Sequence, residues 1–270
     1  MESQTGSFWE HLEVLRGAII RSLAVVLGLA IIVFLFKEFV FEYIVFYPTK
    51  TDFPTFRLLA YLSHNAGVAD EDFAVQPVKI ISTRLAAQFM THISISFYTA
   101  LVASVPYICG ELWMFIRPAL YPQERKYINR ALIFTGILFY IGAATAYFMI
   151  FPLSVNFLSS YQVTPEIENL ISIDSYIDML VELCITTGIA FELPIASYFL
   201  AKAGILKYTF LKRYRKHAFV LVLVIAAIIT PSTDAFTMLA TALPLYLIFE
   251  LSVRVVKRVD KHKLLPSQTV

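Results

Sequence analysis

The chain has 270 residues, 58% of them hydrophobic and 16% charged, with a formal net charge of +2 and a mean hydropathy of +0.70. That balance points to a membrane protein and excludes a disordered chain. With 9 Gly, 12 Pro and 2 Cys, neither a collagen-like repeat nor a disulfide-stapled secreted domain fits, and apolar runs spread along the whole length exclude a soluble domain on a single anchor.

The first residues predict an amphipathic helix. Ser7 and Glu10 have capping-box spacing, and Phe8, Leu12 and Leu15 recur at i, i+4 and i+7. The helix is expected to lie along the inner interface and turn into the first span near Arg16. That span covers roughly 18–36. It is too long for a signal-peptide core, lacks a cleavage site and is followed by Lys37 and Glu38, so it reads as permanent. The segment 37–84 is the one long loop. Within it, Asp52-Phe53-Pro54 starts a second amphipathic helix that places Phe56, Leu59 and Leu62 near one face and ends before Asn65-Ala66-Gly67. This helix either lies on the outer membrane surface or caps the bundle.

Five further spans follow, at roughly 86–109, 131–151, 176–200, 217–230 and 235–252, before a tail at 253–270. The runs are continuous rather than alternating, which predicts an all-α polytopic membrane protein of six transmembrane helices in one membrane domain. His217 to Thr230 is only 14 residues, about 21 Å as a helix, and the sixth span carries Pro244. Thr230-Pro231-Ser232-Thr233-Asp234 reads as a turn that makes the last two spans a short hairpin. The alternative, a single long buried helix, is opposed by Pro231. Cys109 and Cys184 lie in apolar stretches and read as small buried hydrophobes.

Basic residues orient the spans. The segments on one side carry two, four, six and five Lys and Arg, those on the other five, none and none, so 17 of the 22 lie on one side. By the positive-inside rule both termini are cytoplasmic and 37–84 is periplasmic. The cluster Lys207, Lys212, Arg213, Arg215 and Lys216 reads as a topology signal in contact with lipid headgroups rather than as a nucleic-acid patch.

No HExxH, Cys/His cluster, Gly-rich phosphate loop, GxSxG or Walker lysine is present, and His11, His64, His92, His217 and His262 are scattered. The sequence therefore predicts no enzyme, metal site or cofactor. Carboxylates inside or beside spans stand out: Glu111, Asp178, Glu182, Glu192 and Glu250. A charge in the bilayer costs about 2.5–3.5 kcal/mol on insertion scales, which makes each a functional candidate. On a regular helix Glu182 and Glu192 lie about 40° to either side of Asp178, so the three share one face before Pro194 bends the helix. Glu192 is the deepest and has no basic residue in its own span. Such a stripe suits a proton or cation path, and a small ion-coupled transporter is the alternative function, although no internal repeat supports it. An intramembrane protease lacks its nucleophile and metal motifs.

Several blocks resemble the TatC family, the polytopic subunit of the twin-arginine protein translocase. Phe8-Trp9-Glu10-His11-Leu12-Glu13-Val14-Leu15-Arg16 is similar to its HLxELR motif. Pro106 with Glu111 to Arg125 resembles its first cytoplasmic loop, with the pattern W-x-F-x-x-P-x-L-x-x-x-E-R from Trp113. Phe139-Tyr140-Ile141-Gly142, Phe148 to Pro152, Phe191-Glu192-Leu193-Pro194, Thr230-Pro231 to Asp234 and Pro244 to Glu250 match further blocks in order. The resemblance covers nearly the whole chain apart from the outer loop and tail. It implies a non-enzymatic subunit of the bacterial inner membrane that recognises twin-arginine signal peptides. It also implies export of folded proteins, driven by the proton-motive force, with single-span TatA and TatB partners in an oligomeric complex.

The resemblance places the signal-peptide site on the N-terminal region and first cytoplasmic loop: Glu10, Glu13, Arg16, Pro118, Glu124 and Arg125. Glu192 and Glu111 are candidates for intramembrane polar or partner contacts. Two guanidinium groups call for carboxylates that accept bidentate hydrogen bonds, and Glu124 lies at the inner interface, where the dielectric falls below that of water. Read from the residues alone, Glu124 serves equally as a helix-starting residue before Arg125 and Lys126. Val14 stands where the family pattern has a glutamate. Glu10 is about 40° from that position on a helix and Glu13 about 100°, so Glu10 substitutes if the segment is helical and Glu13 if the helix is wound or shifted. Glu111 stands in place of a neutral polar residue and is expected to add negative charge near the same surface.

Overall fold

A computed structural model describes residues 3–66, 78–116, 128–164, 169–230 and 235–264. In chain order the helices are α1 (Ser3–Leu35), α2 (Lys37–Val40), α3 (Pro54–Ala66), α4 (Ala87–Ile116), α5 (Ile128–Thr145), α6 (Phe151–Ser160), α7 (Ile173–Ala190), α8 (Leu193–Lys202), α9 (Tyr208–Arg213), α10 (Arg215–Ile229) and α11 (Ala235–Leu264). A π turn (Phe41–Val45) and a 3₁₀ turn (Tyr47–Thr49) follow α2, and a π turn (Ala146–Ile150) joins α5 to α6. Two-residue strands β1 (Ile80–Ile81) and β2 (Ile171–Ser172) pair in parallel.

Among the described residues five helical stretches are long and apolar enough to cross a membrane: Leu12–Leu35, Ala87–Phe115, Ile133–Ser160, Ile173–Lys202 and Ala235–Lys261. Helix α10 has 15 residues, about 22 Å, in keeping with the short run that marks it. The turn at 231–234 lies outside the described residues.

Several boundaries differ from the sequence reading: α3 includes Asn65 and Ala66, and α4 runs past residue 109 to Ile116. Helix α1 is unbroken for 33 residues, with no turn near Arg16, and Ser7 sits inside it rather than capping it. Gly17 is the one weak helix former at that point, a cost of about 1 kcal/mol that a long helix absorbs. Helix α11 runs past residue 252 to Leu264 because Val253 and Val256 continue its packed face, at 1% and 0% exposure.

The chain forms two compact units, residues 1–40 with 89–137, and residues 41–88 with 138–270. In the first unit two contacts set α1 antiparallel to α4. The Phe34 and His92 rings stack with centroids 3.9 Å apart and planes 10° from parallel. The His92 Nε2 lies 3.1 Å from the Phe34 carbonyl oxygen, one of the last-turn carbonyls that a helix leaves without an internal partner. The second contact, thirteen residues earlier on α1, joins Arg21 to Glu111.

In the second unit the loop helix α3 packs against the bundle as a cap. Phe53, at 0% exposure, packs edge-on against Tyr47, Phe56 and Tyr147 and stacks on Phe148. Irregular backbone needs side-chain partners: the Tyr147 hydroxyl donates to the Ile44 carbonyl and the Tyr176 hydroxyl to the Val45 carbonyl, each at 2.7 Å. The Thr55 hydroxyl donates to the Phe148 carbonyl. Beside the strand pair, Arg84 Nη2 lies 2.8 Å from Asp174 Oδ2, and that hydrogen bond holds the Arg84 guanidinium above its ordinary pKa. Deleting a buried Phe ring costs about 3–5 kcal/mol. Phe53→Ala should therefore release the cap, read as faster hydrogen exchange in α3 with α11 unchanged.

Helices α5 and α7 cross closely through a reciprocal exchange. A Cβ on Gly188 would come within 2.7 Å of the Phe139 ring, and one on Gly142 within 2.8 Å of the Phe191 side chain and the Thr187 carbonyl oxygen. Small residues at such crossings are the usual way membrane helices approach one another. At the other end of the unit, Arg215 on α10 pairs with Glu250 on α11 at 2.9 Å. There too Asp260 Oδ2 accepts from the Tyr208 amide at 2.7 Å, tying the start of α9 to α11.

Candidate functional site

The N-terminal turns of α1 leave Trp9, Leu12, Glu13, Val14 and Arg16 exposed. The backbone at Glu10 is helical, while its side chain lies outside the described ones. At about 100° per residue, positions 10 and 14 fall roughly 20° to either side of position 21 around the helix axis. Position 13 falls roughly 80° away.

Glu111 is 4% exposed, and its charge is compensated. Arg21 Nε donates to Oε1 at 2.9 Å and Nη2 to Oε2 at 2.7 Å, while the Tyr107 hydroxyl donates to Oε1 at 2.9 Å. This is the fork-on-carboxylate geometry that suits arginine. The arginine side chain leans back along the helix, as helical side chains do, over Gly17, where a Cβ would lie 3.2 Å from Nη1. The expectation that Glu111 adds free negative charge near the site is thus corrected: its two oxygens are taken up by Arg21 and Tyr107. In the sequence Arg21 lies within the first apolar run and Glu111 just past the end of the second, 90 residues apart.

Pro118, Glu124 and Arg125 lie in the segment 117–127, outside the described residues. That segment leaves the end of α4 at Ile116 and rejoins α5 at Ile128.

Asp178 and Glu182 lie on α7, whereas Glu192 lies in the two-residue turn that follows it. Helix α7 ends at Ala190, and Glu192 sits in the break before α8 with ψ of −9°, against about −42° in a regular helix. Pro194 lacks the amide that would continue the ladder, and buried Phe191 wedges against Gly142 in the break. Asp178 is exposed and Glu182 half-buried. Glu250, like Glu111, is held by an arginine from another helix.

Among the described residues no group of three His, Cys, Asp or Glu is placed to hold a metal ion. Apolar helices of membrane length, closed by ion pairs between helices and carrying an exposed, mixed apolar and charged helix end, define a polytopic helical membrane protein. The sequence profile of the Sec-independent protein translocase protein TatC matches residues 10–244. The TatC of Blattabacterium sp. subsp. Periplaneta americana is 34% identical over 259 residues, covering 95% of this chain and 97% of that one. The TatC of Magnetococcus marinus is 34% identical over 244 residues, covering 90% and 81%. A crystal structure of a twin arginine translocase receptor, TatC, is similar with a TM-score of 0.71 and 32% identity, covering 93% of this chain and 99% of that one. The chain belongs to the TatC family: it is the multi-pass, non-enzymatic TatC component of the twin-arginine translocation system.

Proposed function

We propose that this chain is the receptor for signal peptides bearing paired arginines, and that with single-span TatA and TatB partners it supports export of folded proteins driven by the proton-motive force. The observation that carries the reading is the exposed end of α1, where Glu13 stands beside Trp9, Leu12 and Val14 on an unbroken helix. Carboxylates next to apolar surface suit a peptide with a basic start and an apolar core. The related crystal structure is itself described as a twin arginine translocase receptor. Pro118, Glu124 and Arg125 complete the site from 117–127, and Arg16 borders it on α1. The continuous helix supports Glu10 over Glu13 as substitute for the glutamate replaced by Val14. Photo-crosslinking of a twin-arginine peptide to the purified protein tests the reading; equal labelling by a twin-lysine peptide overturns it.

The chain sits in the bacterial inner membrane with six spans and both termini in the cytoplasm. The asymmetry of 17 in 22 basic residues supports this. With Cys109 and Cys184 replaced by Ala, Gln123→Cys and Arg213→Cys should react only with reagents that reach the cytoplasm, and Glu166→Cys only from outside. Labelling of position 166 from inside overturns the topology.

Helix α10, about 22 Å long, falls short of about 30 Å of hydrocarbon, so the bilayer thins beside it. Glu192 then lies within reach of water and serves as a polar contact for a partner helix or the signal peptide. Glu192→Gln keeps hydrogen bonding and should retain partner assembly in part, whereas Glu192→Ala should lose assembly and export. Intact export in the Ala variant removes this role.

A further inference from the structure

We infer that Arg21 and Glu111, braced by Tyr107, form a positioning lock that sets the rotation of α1 against α4 and so the direction in which the exposed end of α1 presents Trp9, Leu12 and Glu13 to a signal peptide. The inference rests on the receptor reading above and names residues that the family pattern does not supply.

Three observations carry it. The contact is a two-point one: both carboxylate oxygens of Glu111 accept from the Arg21 guanidinium, at 2.9 and 2.7 Å, and Tyr107, one turn earlier on α4, adds a third bond at 2.9 Å. A fork seated on a buried carboxylate resists rotation of the helix that bears it, which a point contact does not. The local sequence also makes room for it, since Gly17 leaves open the space beside Nη1 that a side chain would crowd. Finally, the pair lies close to the exposed end of α1: Glu13 is eight residues away, about 12 Å along the axis. On α4, Glu111 lies one turn and a half before Ile116, from which the segment bearing Glu124 departs. At the far end of α1 the Phe34–His92 stack gives a second point of attachment, and two points fix the helix in rotation and tilt.

The setting strengthens the lock. Glu111 is 4% exposed and both its oxygens are engaged, so without Arg21 it keeps only the Tyr107 hydroxyl. Removing either partner leaves the other charge without compensation and frees α1 to turn.

The experiment uses the full-length protein in nanodiscs, with affinities for twin-arginine and twin-lysine peptides measured beside the distance between spin labels at Ile19→Cys and Leu112→Cys, positions exposed on α1 and α4, with Cys109 and Cys184 replaced by Ala. Arg21→Gln and Glu111→Gln should each lower twin-arginine affinity roughly tenfold, the size of effect typical of coupled neighbours, and broaden the distance distribution. Arg21→Lys keeps the charge but not the fork and should fall between these and the wild type. Gly17→Val, which crowds the guanidinium while leaving both charges, should act in the same direction and serves if a charge variant fails to insert. Wild-type affinity in Arg21→Gln overturns the lock. So does lowered affinity with an unchanged distance distribution, since the arginine would then act on the peptide directly. A wild type that binds twin-arginine and twin-lysine peptides equally sinks the receptor reading instead, and is told apart because it needs no variant.

Discussion

Glu124→Lys is expected to abolish crosslinking of a twin-arginine peptide while leaving membrane insertion unchanged. Two guanidinium groups need two acidic partners, and a hydrogen bond to a charged group contributes on the order of 1.5–3 kcal/mol. Losing one carboxylate should therefore weaken binding by roughly tenfold to a hundredfold, and reversing its sign adds repulsion to the loss. The second carboxylate belongs to α1. Because α1 is one helix from Ser3, Glu10 occupies the face nearest to Val14 and Glu13 the flank, so Glu10→Gln should weaken binding more than Glu13→Gln. The competing account is that Glu124 only stabilises its loop. Glu124→Gln separates the two: a bidentate site loses its preference for arginine over lysine, whereas a loop defect lowers both peptides by the same factor. Equal losses would favour the loop.

The largest effect on stability is expected at the crossing of α5 and α7. Gly142→Ala places a methyl group within 2.8 Å of Phe191 and of the Thr187 carbonyl oxygen, and Gly188→Ala places one within 2.7 Å of the Phe139 ring. Overpacking of this kind costs about 1–3 kcal/mol. The two sites differ in what must yield. At Gly188 the obstacle is a side chain, so Phe139→Leu should recover much of the loss in Gly188→Ala. At Gly142 a backbone oxygen also blocks the way, so Phe191→Leu should rescue Gly142→Ala only weakly, and Gly142→Val should not give a stable protein. The measurement is the fraction of monodisperse protein surviving a heating series in detergent. Equal rescue at the two sites would show that the Thr187 carbonyl is not the limiting contact.

The spans, the short α10 and the break before Pro194 were legible in the sequence because each depends on local composition. A run of apolar side chains must be helical in lipid whatever surrounds it, and a proline lacks its amide wherever it sits. The family was legible for a related reason, since motifs such as Trp113 to Ile116 and Phe191 to Pro194 survive as short strings. Glu192, by contrast, was read on a regular helix with Asp178 and Glu182. The turn at 191–192 interrupts that regular helix, and Phe191 within it packs against Gly142, 49 positions earlier. The placement of α3 as a cap likewise waited on Phe53 meeting Tyr147 and Phe148 from another helix.

The pairing of Arg21 with Glu111 shows where the division falls. From the sequence, Glu111 was a candidate carboxylate beside a span with no partner named, and Arg21 was only one of the basic residues counted near the first span. Sequence by itself determined which segments are apolar enough to enter a membrane, because transfer free energy sums over the residues of each segment. Tertiary structure decided which charges meet, which glycines are crossed and which way α1 faces, because those depend on the register and rotation of helices whose contacts lie 90 residues apart.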